Sequence, residues 1–379
     1  MAQAANAAVV NSNPAGITRI RGTQVVMDTS VARGFSEFKV SESQPPGSDP
    51  DDDDDPTLIP TLSLAHELTD RWRLGFGLFV PAGIGTDYGD DWAGRYFATE
   101  SSLVFLSAQP VVAYRVTDWL SLAAGASIMY VDSVSESAIA NLEPGSSDGR
   151  MRLEVDGIDA GAIVAAMVEP WEGTRFGLSY RNEQHPELEG KPRFRKLGPL
   201  LRNVLDEAGL LGSDIDLDIN VPQTIQAGFF HQLTDRFSLM GDVTWMDWSR
   251  FGRVDVSVND ASLTAKQDFN DIWVGSIGAE YQVREDLAAN AGFTYVSSAV
   301  DDEDRTLSLP FDEVFYFGVG GSARARPNLE IHANLAAALS GNGRIDQRGT
   351  LPNRRLRGKS EDNYTLVFQI SFVWGTKPI

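Results

Sequence analysis

Residues 111–131 read VVAYRVTDWLSLAAGASIMYV, and this stretch decides the fold. Its centre, from Val116 to Leu120, contains a Thr-Asp pair that suits a tight turn. After the turn, apolar residues occupy every second position, while small and polar residues such as Ser121 and Ser127 lie between them. Alternation with a period of two indicates a β-strand with two unlike faces. The stretch therefore predicts two antiparallel strands joined by a short hairpin turn.

The same turn recurs along the chain. Residues 68–72 read LTDRW and residues 233–237 read LTDRF, each between two alternating runs. Weaker versions of the turn lie at 169–173, 283–287 and 326–329. Long polar connections join the other ends of the hairpins, at 41–56, 85–98 and 141–149. Short turns on one side and long loops on the other are typical of outer-membrane β-barrels.

The predicted fold is an all-β, transmembrane, antiparallel up-and-down β-barrel of about fourteen strands, an even number as in single-chain bacterial barrels. The C-terminal run from Tyr364 to Trp374 alternates in the same way, with one face suited to lipid and the other to a lumen. Aromatic residues beside the short turns would form a girdle at one membrane interface; they are Trp72, Trp119, Trp171 and Phe237. Three prolines fall inside predicted strands, where we expect bulges or segments outside the membrane; they are Pro110, Pro222 and Pro310.

Composition excludes several classes of protein. The 379 residues include no cysteine, which rules out disulfides, cysteine-ligated zinc and thiol nucleophiles. With 53 acidic against 32 basic residues, the formal charge is -21, so nucleic acid is not an expected partner. No window approaches the 18 or so apolar residues of a membrane-spanning helix. The first nine residues lack the basic and apolar regions of a signal peptide. An outer-membrane protein needs a signal, so we expect that it was removed or is not included in this sequence, either alone or with some mature sequence.

Two segments do not have the pattern of strands. Residues 1–21 are rich in Ala and Asn, and we place them before the first strand of a barrel formed by residues 22–379. Within a loop at about 196–213, the apolar residues of Pro199 to Leu211 share one helical face. An amphipathic helix is predicted for this loop.

Several motifs together resemble the FadL/TodX-type outer-membrane transporters of hydrophobic compounds. Near the start, Asn13-Pro14-Ala15 is similar to the family's Asn-Pro-Ala motif. The most recognisable similarity lies at 92–96 and 109–122, followed by Ala124-Gly125, and shorter similar segments follow in the family's order at 220–223, 245–249 and 307–310. The resemblance covers nearly the whole chain, from Asn11 to Trp374.

The resemblance implies a fourteen-stranded barrel in the bacterial outer membrane, with an N-terminal hatch inside the lumen and a lateral opening where an early strand kinks. Asn13, Pro14 and Ala15 would belong to the hatch, of which only about a dozen residues precede the motif here. The best match to the kink contains Pro81, Gly83 and Gly85, because proline breaks a strand ladder and glycine permits unusual dihedrals. A plain strand end would have the same sequence pattern.

The resemblance also implies an outer groove that first captures ligand, which we assign to Leu200, Leu201, Val204 and Leu205. A helix that only packs on neighbouring loops would show the same pattern. The acidic run from Asp49 to Asp55 has the carboxylates that divalent cations prefer, but a solvated, disordered loop is the favoured interpretation. No metal site or cofactor is otherwise indicated, because the four histidines show no ligand spacing.

The predicted function is passive transport of a hydrophobic small molecule. A buried carboxylate needs a cation partner, and the positions considered first carry Asp132, Glu136, Asp268, Asn270 and Asp271, with Lys266 nearby. An anionic head group would therefore depend on one of four arginines, namely Arg95, Arg181, Arg193 and Arg195. Uncharged hydrocarbons are on this basis at least as well supported as long-chain fatty acids. We expect a monomer that contacts membrane lipid and lipopolysaccharide.

Three alternatives remain open from the sequence. A general diffusion porin would need an open, charged lumen without a plug. A structural or adhesive barrel would use the long acidic loops to bind a surface partner. A lipase or acyltransferase would need a serine and a histidine brought together across strands; no nucleophile motif supports such an enzyme.

Overall fold

More than half of the chain pairs in antiparallel strand ladders. The computed structural model describes residues 1–51, 55–251, 253–258, 261–266, 268–310, 312–349 and 354–378. The strands in these ranges are β1 Thr23–Gln44, β2 Thr57–Glu67, β3 Trp72–Asp87, β4 Glu100–Arg115, β5 Leu120–Ile139, β6 Gly149–Trp171, β7 Thr174–Arg181, β8 Glu187–Arg195, β9 Ile215–Asp218, β10 Thr224–Gln232, β11 Phe237–Met246, β12 Arg253–Val258, β13 Ala261–Lys266, β14 Ile272–Arg284, β15 Leu287–Val296, β16 Val314–Arg326, β17 Leu329–Ser340, β18 Ile345–Arg348 and β19 Arg355–Gly375.

Fourteen of these strands form a closed barrel, which confirms the predicted fold and strand number. Each barrel strand pairs with its neighbour along the chain, and β1 pairs with β19 from Gln24–Gly375 to Gln44–Arg355, which closes the ring. The other five strands, β8, β9, β12, β13 and β18, extend the wall beyond its long-loop end. Closure pairs the first barrel strand with the last, so neither is left as a free edge strand in lipid.

The recurring turn has one chemistry at all three places where the sequence predicts it. Thr69, Thr117 and Thr234 each accept, through the side-chain oxygen, a hydrogen bond from the backbone N–H three residues later, at 3.1, 3.0 and 3.0 Å. These N–H groups belong to the first residues of β3, β5 and β11. The threonine thus fixes the start of the returning strand, and all of the short turns lie at the end of the barrel that holds both chain termini.

The two faces of the wall differ as the alternation predicts. On β5, Leu122 and Tyr130 are exposed on the outward face, whereas Ser121 and Ser127 are buried on the lumen side. On β19, Phe368 and Phe372 are outward and Val373 is buried inside. Trp72, Trp119 and Trp171 are exposed next to the short turns, where the girdle was predicted.

The prolines are placed differently from the prediction. Pro222 and Pro310 lie outside the strands, before β10 and β16. Pro110 lies inside β4, where pairing with β5 is interrupted between Ala108 and Val111. A proline has no N–H to donate to a ladder, and the interruption coincides with that missing donor.

The described residues contain one α-helix, α1, which spans Pro199–Glu207. The sequence predicts a helix as far as Leu211, so α1 ends four residues, about one turn, earlier than expected. Gly209 follows with φ +68°, a left-handed conformation that commonly ends a helix. None of the helices in the described ranges is long and apolar enough to cross a membrane.

A charged substitution should separate the two faces of the wall. Leu335 on β17 is exposed on the outward face, about 15 Å above the short-turn end if strands tilt by about 40°. Arginine at that position should cost about 2–4 kcal/mol in a bilayer, whereas Ala336→Arg, which points into the lumen, should cost clearly less. Denaturant unfolding in lipid vesicles would measure both costs. Equal costs would contradict the assignment of faces.

Candidate functional site

The N-terminal segment, residues 1–20, lies inside the barrel lumen. It contains two 3-10 helices, Ala7–Asn11 and Pro14–Arg19. Both begin after an asparagine whose side chain accepts a hydrogen bond from the second following N–H, Asn6 at 3.0 Å and Asn13 at 3.1 Å. Asparagine is a favoured residue at this capping position, and proline is favoured just after it. Asn-Pro thus starts a tight turn at a defined point inside the lumen.

Asn13, Pro14 and Ala15 come together as the buried centre of this segment. Besides capping the second helix, Asn13 donates from Nδ2 to the backbone carbonyl of Ala166 on β6, at 3.1 Å. Each half of the amide is therefore used, the oxygen within the segment and the nitrogen on the wall. Aspartate or alanine at this position would lose the bond to the wall.

Glycines on the lumen face of the wall allow the segment to approach closely. A Cβ at Gly75 would lie 2.8 Å from side-chain atoms of Ile17 and Val10. A Cβ at Gly77 would overlap the side chain of Asn11. A Cβ at Gly177 on β7 would lie 2.5 Å from Nδ2 of Asn13. We call Gly75, Gly77 and Gly177 the glycine surface.

Polar lumen side chains bind the backbone of the same segment. Arg73 donates to the carbonyl of Ile20 at 2.8 Å, and Gln109 donates to the carbonyl of Val10 at 2.6 Å. Further contacts of the same kind join Arg115 to Thr18, Arg175 to Ala2, and Gln24 to the N–H of Ala7. These bonds satisfy backbone groups that would otherwise be buried without partners, a costly arrangement.

Sequence reasoning missed both the glycine surface and these lumen side chains. The available signal was local: Gly75 and Gly77, like Arg73, occupy every second position of β3 opposite the apolar face. A glycine in a strand indicates close approach of another backbone. What approaches it is set by residues some sixty positions earlier in the chain, which the strand pattern does not reveal.

The wall has an interruption between β2 and β3. β2 pairs with β1 from His66 up to Thr57, but with β3 only from Glu67 up to Leu62. No hydrogen-bond ladder therefore joins residues 57–61 of β2 to residues 79–87 of β3. The interruption starts about 18 Å above the short-turn end, since Phe79 lies seven residues above Trp72 on a tilted strand. It therefore opens into the outer half of the lipid-facing band.

Pro81, Gly83 and Gly85 border this interruption. Pro81 lies in a bulge, where the β3–β4 register shifts between Phe79 and Ala82. Gly83 and Gly85 keep ordinary negative φ angles, so the unusual dihedrals expected of them are not used. A Cβ would meet no atom closer than 3.8 Å at either glycine. Their effect in this structure is open space beside the interruption.

A cavity of about 350 Å³ lies on the lumen side of the same region. It is lined by Ile84 and Gly85 of β3, Phe38 of β1 and Val314 of β16, among others. The other edge of the interruption carries Pro60, which sequence reasoning also missed. Proline is accommodated at strand edges because its nitrogen has no hydrogen to pair.

Of the four arginines considered for a head group, Arg181 lies in the lumen. Its guanidinium donates to Oε1 of Gln109 at 2.7 Å and to the carbonyl of Asn11 at 3.5 Å. It also lies 5.8 Å from the ring centre of Phe79, at the interruption. Within the described residues, its Nε atom is buried without a hydrogen-bond partner, and no carboxylate pairs with it.

The other three arginines lie at the long-loop end. Arg95 donates to Asp148 at 2.9 Å in a loop. Arg193 pairs with Glu154 at 3.0 Å on the extension of the wall, and Arg195 is exposed beside it. The structure does not bring these three together with Arg181.

The residues of the expected capture groove differ in their exposure to solvent. Leu200 and Val204 are exposed on α1, whereas Leu201 is buried against the loops. The helix is tied to a neighbouring loop by Glu143, which accepts from the N–H of Leu200 at 2.7 Å. Exposed leucine and valine at the outer end of the barrel offer an apolar surface to a hydrophobic molecule.

Apolar residues of the loops fill the outer half of the lumen. Trp248 and Phe251 follow β11, Phe269 precedes β14, and they pack on Phe105 and Val131 of the wall. Of the acidic run 49–55, Asp52, Asp53 and Asp54 lie outside the described residues, as does the side chain of Lys266. Within the described part of the chain, no cluster of three or more acidic or histidine side chains is arranged to hold a metal ion.

Comparison with known proteins identifies this architecture. Residues 1–372 match the family described as outer membrane protein transport protein (OMPP1/FadL/TodX). The chain belongs to this family. It is 23% identical over 74% of its length to outer membrane protein P1 of Haemophilus influenzae, and the match spans 65% of that protein, less than two thirds. Like other members of the OMPP1/FadL/TodX family, it is a β-barrel of the bacterial outer membrane.

Two solved structures show the same fold as this family member. A Pseudomonas aeruginosa FadL homologue has a TM-score of 0.88 at 19% identity, covering 97% of this chain and 94% of that one. The Pseudomonas putida toluene transporter TodX has a TM-score of 0.70 at 19% identity, covering 99% and 95%. The short turns are thus assigned to the periplasmic end and the long loops to the extracellular end.

Enlarging the glycine surface should displace the N-terminal segment. Gly77→Val adds atoms where Asn11 lies, and overpacking of this kind costs about 1–3 kcal/mol. The segment should become accessible to protease, and ion conductance across planar bilayers should rise. Gly275→Val is the matched control, because no atom lies within 4 Å of a Cβ there. Protease resistance equal to that of the wild type would contradict the close fit.

Proposed function

We propose that the protein transports hydrophobic small molecules passively across the outer membrane, and that they leave the lumen sideways between β2 and β3. The interruption of the wall at residues 57–61 and 79–87 is the observation that carries this proposal. A molecule entering from outside finds the periplasmic half of the lumen occupied by the N-terminal segment. The unpaired edges offer an alternative way out into the lipid.

The proposed route begins at the exposed apolar residues of α1, Leu200 and Val204, and passes the apolar loop cluster in the outer lumen. Transfer of apolar surface from water provides the driving force, about 25 cal/mol per Å². The molecule then reaches the cavity beside Ile84 and Gly85. A shift of the N-terminal segment that breaks the contacts of Asn11 with the wall would widen the lumen beside this cavity. Asn13, Pro14 and Ala15 act in this proposal as the anchor of the hatch.

The structure removes one argument for an uncharged ligand. Asp132 and Glu136 were considered as lumen positions, but the register of β5 places them on the outward face with Tyr130. They therefore cannot repel an anion inside the barrel. Arg181 instead supplies a buried lumen cation next to the interruption, and a carboxylate is the partner that its unpaired Nε–H fits. We infer that amphipathic molecules with an anionic head group are substrates alongside neutral hydrocarbons such as toluene, the compound named for TodX.

A general diffusion porin has one observation in its favour. A cavity of about 790 Å³, whose lining includes the ionisable side chains of Glu280, Glu330 and His332, lies between β11 and β14–β17. The N-terminal segment and the apolar loop cluster occupy the rest of the lumen, which favours a selective route for hydrophobic molecules over free diffusion. Free ion conduction by the unmodified barrel in planar bilayers would favour the porin over the selective route.

Filling the interruption should reduce transport without preventing assembly. Gly83→Val combined with Gly85→Val adds β-branched side chains that favour regular strand pairing, and the space around both glycines accepts them. Uptake of a labelled hydrophobic substrate by cells should fall at least fivefold, with heat-modifiable mobility on gels showing a folded barrel. Gly275→Val serves as the control. Uptake at the wild-type rate in the folded double variant would count against an exit at this place.

The charge of the head group can be tested with Arg181→Gln. Binding of oleate to the purified barrel should weaken by at least tenfold, because the buried carboxylate loses its cation, whereas binding of a neutral alkane should change by less than twofold. Arg193→Gln, at an exposed arginine outside the lumen, should leave both ligands unaffected. Equal oleate affinity in wild type and Arg181→Gln would refute the anionic site while leaving the lateral exit standing.

A further inference from the structure

The outward face of β6 changes character at a defined height. Its outward residues are apolar from Val168 to Ile158, and every one from Asp156 to Arg150 is charged. The apolar stretch spans residues 158–168, which is about 33 Å along the strand, or about 25 Å across the membrane at a 40° tilt. That height matches the lipid-facing band of an outer-membrane barrel. The charged residues therefore lie level with the head groups of the outer leaflet.

Like charges face each other at this level. In the ladder between β6 and β8, Arg152 lies opposite Arg193 and Arg150 lies opposite Arg195. Residues directly opposite on antiparallel strands point to the same face, with Cβ atoms about 4.5–5.5 Å apart. Opposed like charges destabilise a sheet unless counter-charges compensate them. Four guanidinium groups are thus concentrated on a small outward surface.

Carboxylates compensate three of the four arginines. The pairs are Arg150 with Asp90 and Glu136, Arg152 with Glu100, Glu136 and Glu154, and Arg193 with Glu154. Among the residues that the structure describes, neither Arg195 nor the following Lys196 forms an ion pair. Two cations at the upper edge of this surface therefore have no direct ion pair, and the carboxylate that interacts with Arg195, Glu154, already pairs with Arg152 and Arg193.

A polar cavity of about 710 Å³ adjoins these cations on the extracellular side. Lys196, Arg150 and Arg95 line it, and so do three carboxylates, Asp90, Asp91 and Asp148. Asp90 pairs with Arg150 and Asp148 with Arg95, so Lys196 is the lining cation without an ion pair among the described residues. Arg95 is held there by Asp148, which also accepts from the hydroxyl of Tyr96 at 2.7 Å. The cavity has the polarity and size for sugar residues, and it opens directly above the opposed arginines.

We propose that this outward surface of β6 and β8, with the adjoining cavity, binds lipopolysaccharide. A phosphate group pairs with Arg195 and Lys196, and the phosphorylated sugars extend into the cavity. Guanidinium groups suit this role because their planar donors match phosphate oxygens. Below the arginines, Asp132 and Asp156 lie opposite each other and repel anions, which places the phosphate at the arginine level. Apolar residues from Ile158 downwards then contact the acyl chains.

This surface is on the outside of the wall, away from the lumen and the interruption between β2 and β3. The inference therefore does not depend on the proposed transport. The test uses the full chain, purified in detergent and stripped of lipid, with rough lipopolysaccharide carrying two lipid A phosphates as the probe. Native mass spectrometry measures its affinity.

Arg195→Gln combined with Lys196→Gln should weaken binding at least tenfold, and dephosphorylated lipopolysaccharide should bind the wild type as weakly as the intact form binds the variant. Arg236→Gln combined with Arg284→Gln removes the same charge from exposed positions at the periplasmic turns and should bind normally. Heat-modifiable mobility verifies folding of each variant. Wild-type affinity in the first variant, or equal binding of the dephosphorylated form, would overturn the proposal.

Discussion

A barrel of fourteen strands encloses a lumen too wide for the side chains of its own wall to fill, a task that wall side chains can perform at about eight strands. The remaining structure depends on that constraint. The periplasmic half is filled by the N-terminal segment, which fits because Gly75, Gly77 and Gly177 present no side chain to it. The extracellular half is filled by loop residues such as Trp248 and Phe251. Neither filling is part of the wall, so either can move without breaking strand pairing.

The second constraint is that lipid offers no hydrogen bonds to an unpaired backbone. The wall satisfies it by closing β1 on β19, yet it leaves β2 and β3 unpaired above Leu62 and Leu78. Such an interruption is tolerated where the free groups line a cavity. The cavity beside Ile84 is at this place, and Pro60 and Pro81 reduce the number of N–H donors on the two edges. A passage through the wall is thus compatible with a stable barrel only where these features coincide.

Much of the fold could be predicted from the sequence, because its signals are local. Thr69, Thr117 and Thr234 define three turns by contacts with residues three positions away, and alternation on β5 and β19 assigns the faces. The functional residues were harder to place, because a residue's side of the wall depends on an unbroken register. Asp132 and Glu136 proved outward, and Arg193 and Arg195 lie on the outer surface at the level of the outer-leaflet head groups. The helix α1 is shorter than its apolar pattern predicts, because Gly209 adopts a left-handed conformation.

The most direct test of the account locks the N-terminal segment in place. The chain has no cysteine, so Asn11→Cys with Ser63→Cys introduces a single pair at positions whose side chains hydrogen-bond at 3.0 Å. Uptake of a labelled hydrophobic substrate would be measured in oxidised cells and again after reduction. The account predicts that oxidation stops uptake and reduction restores it. Uptake at the wild-type rate with the disulfide formed would contradict the requirement that the segment moves.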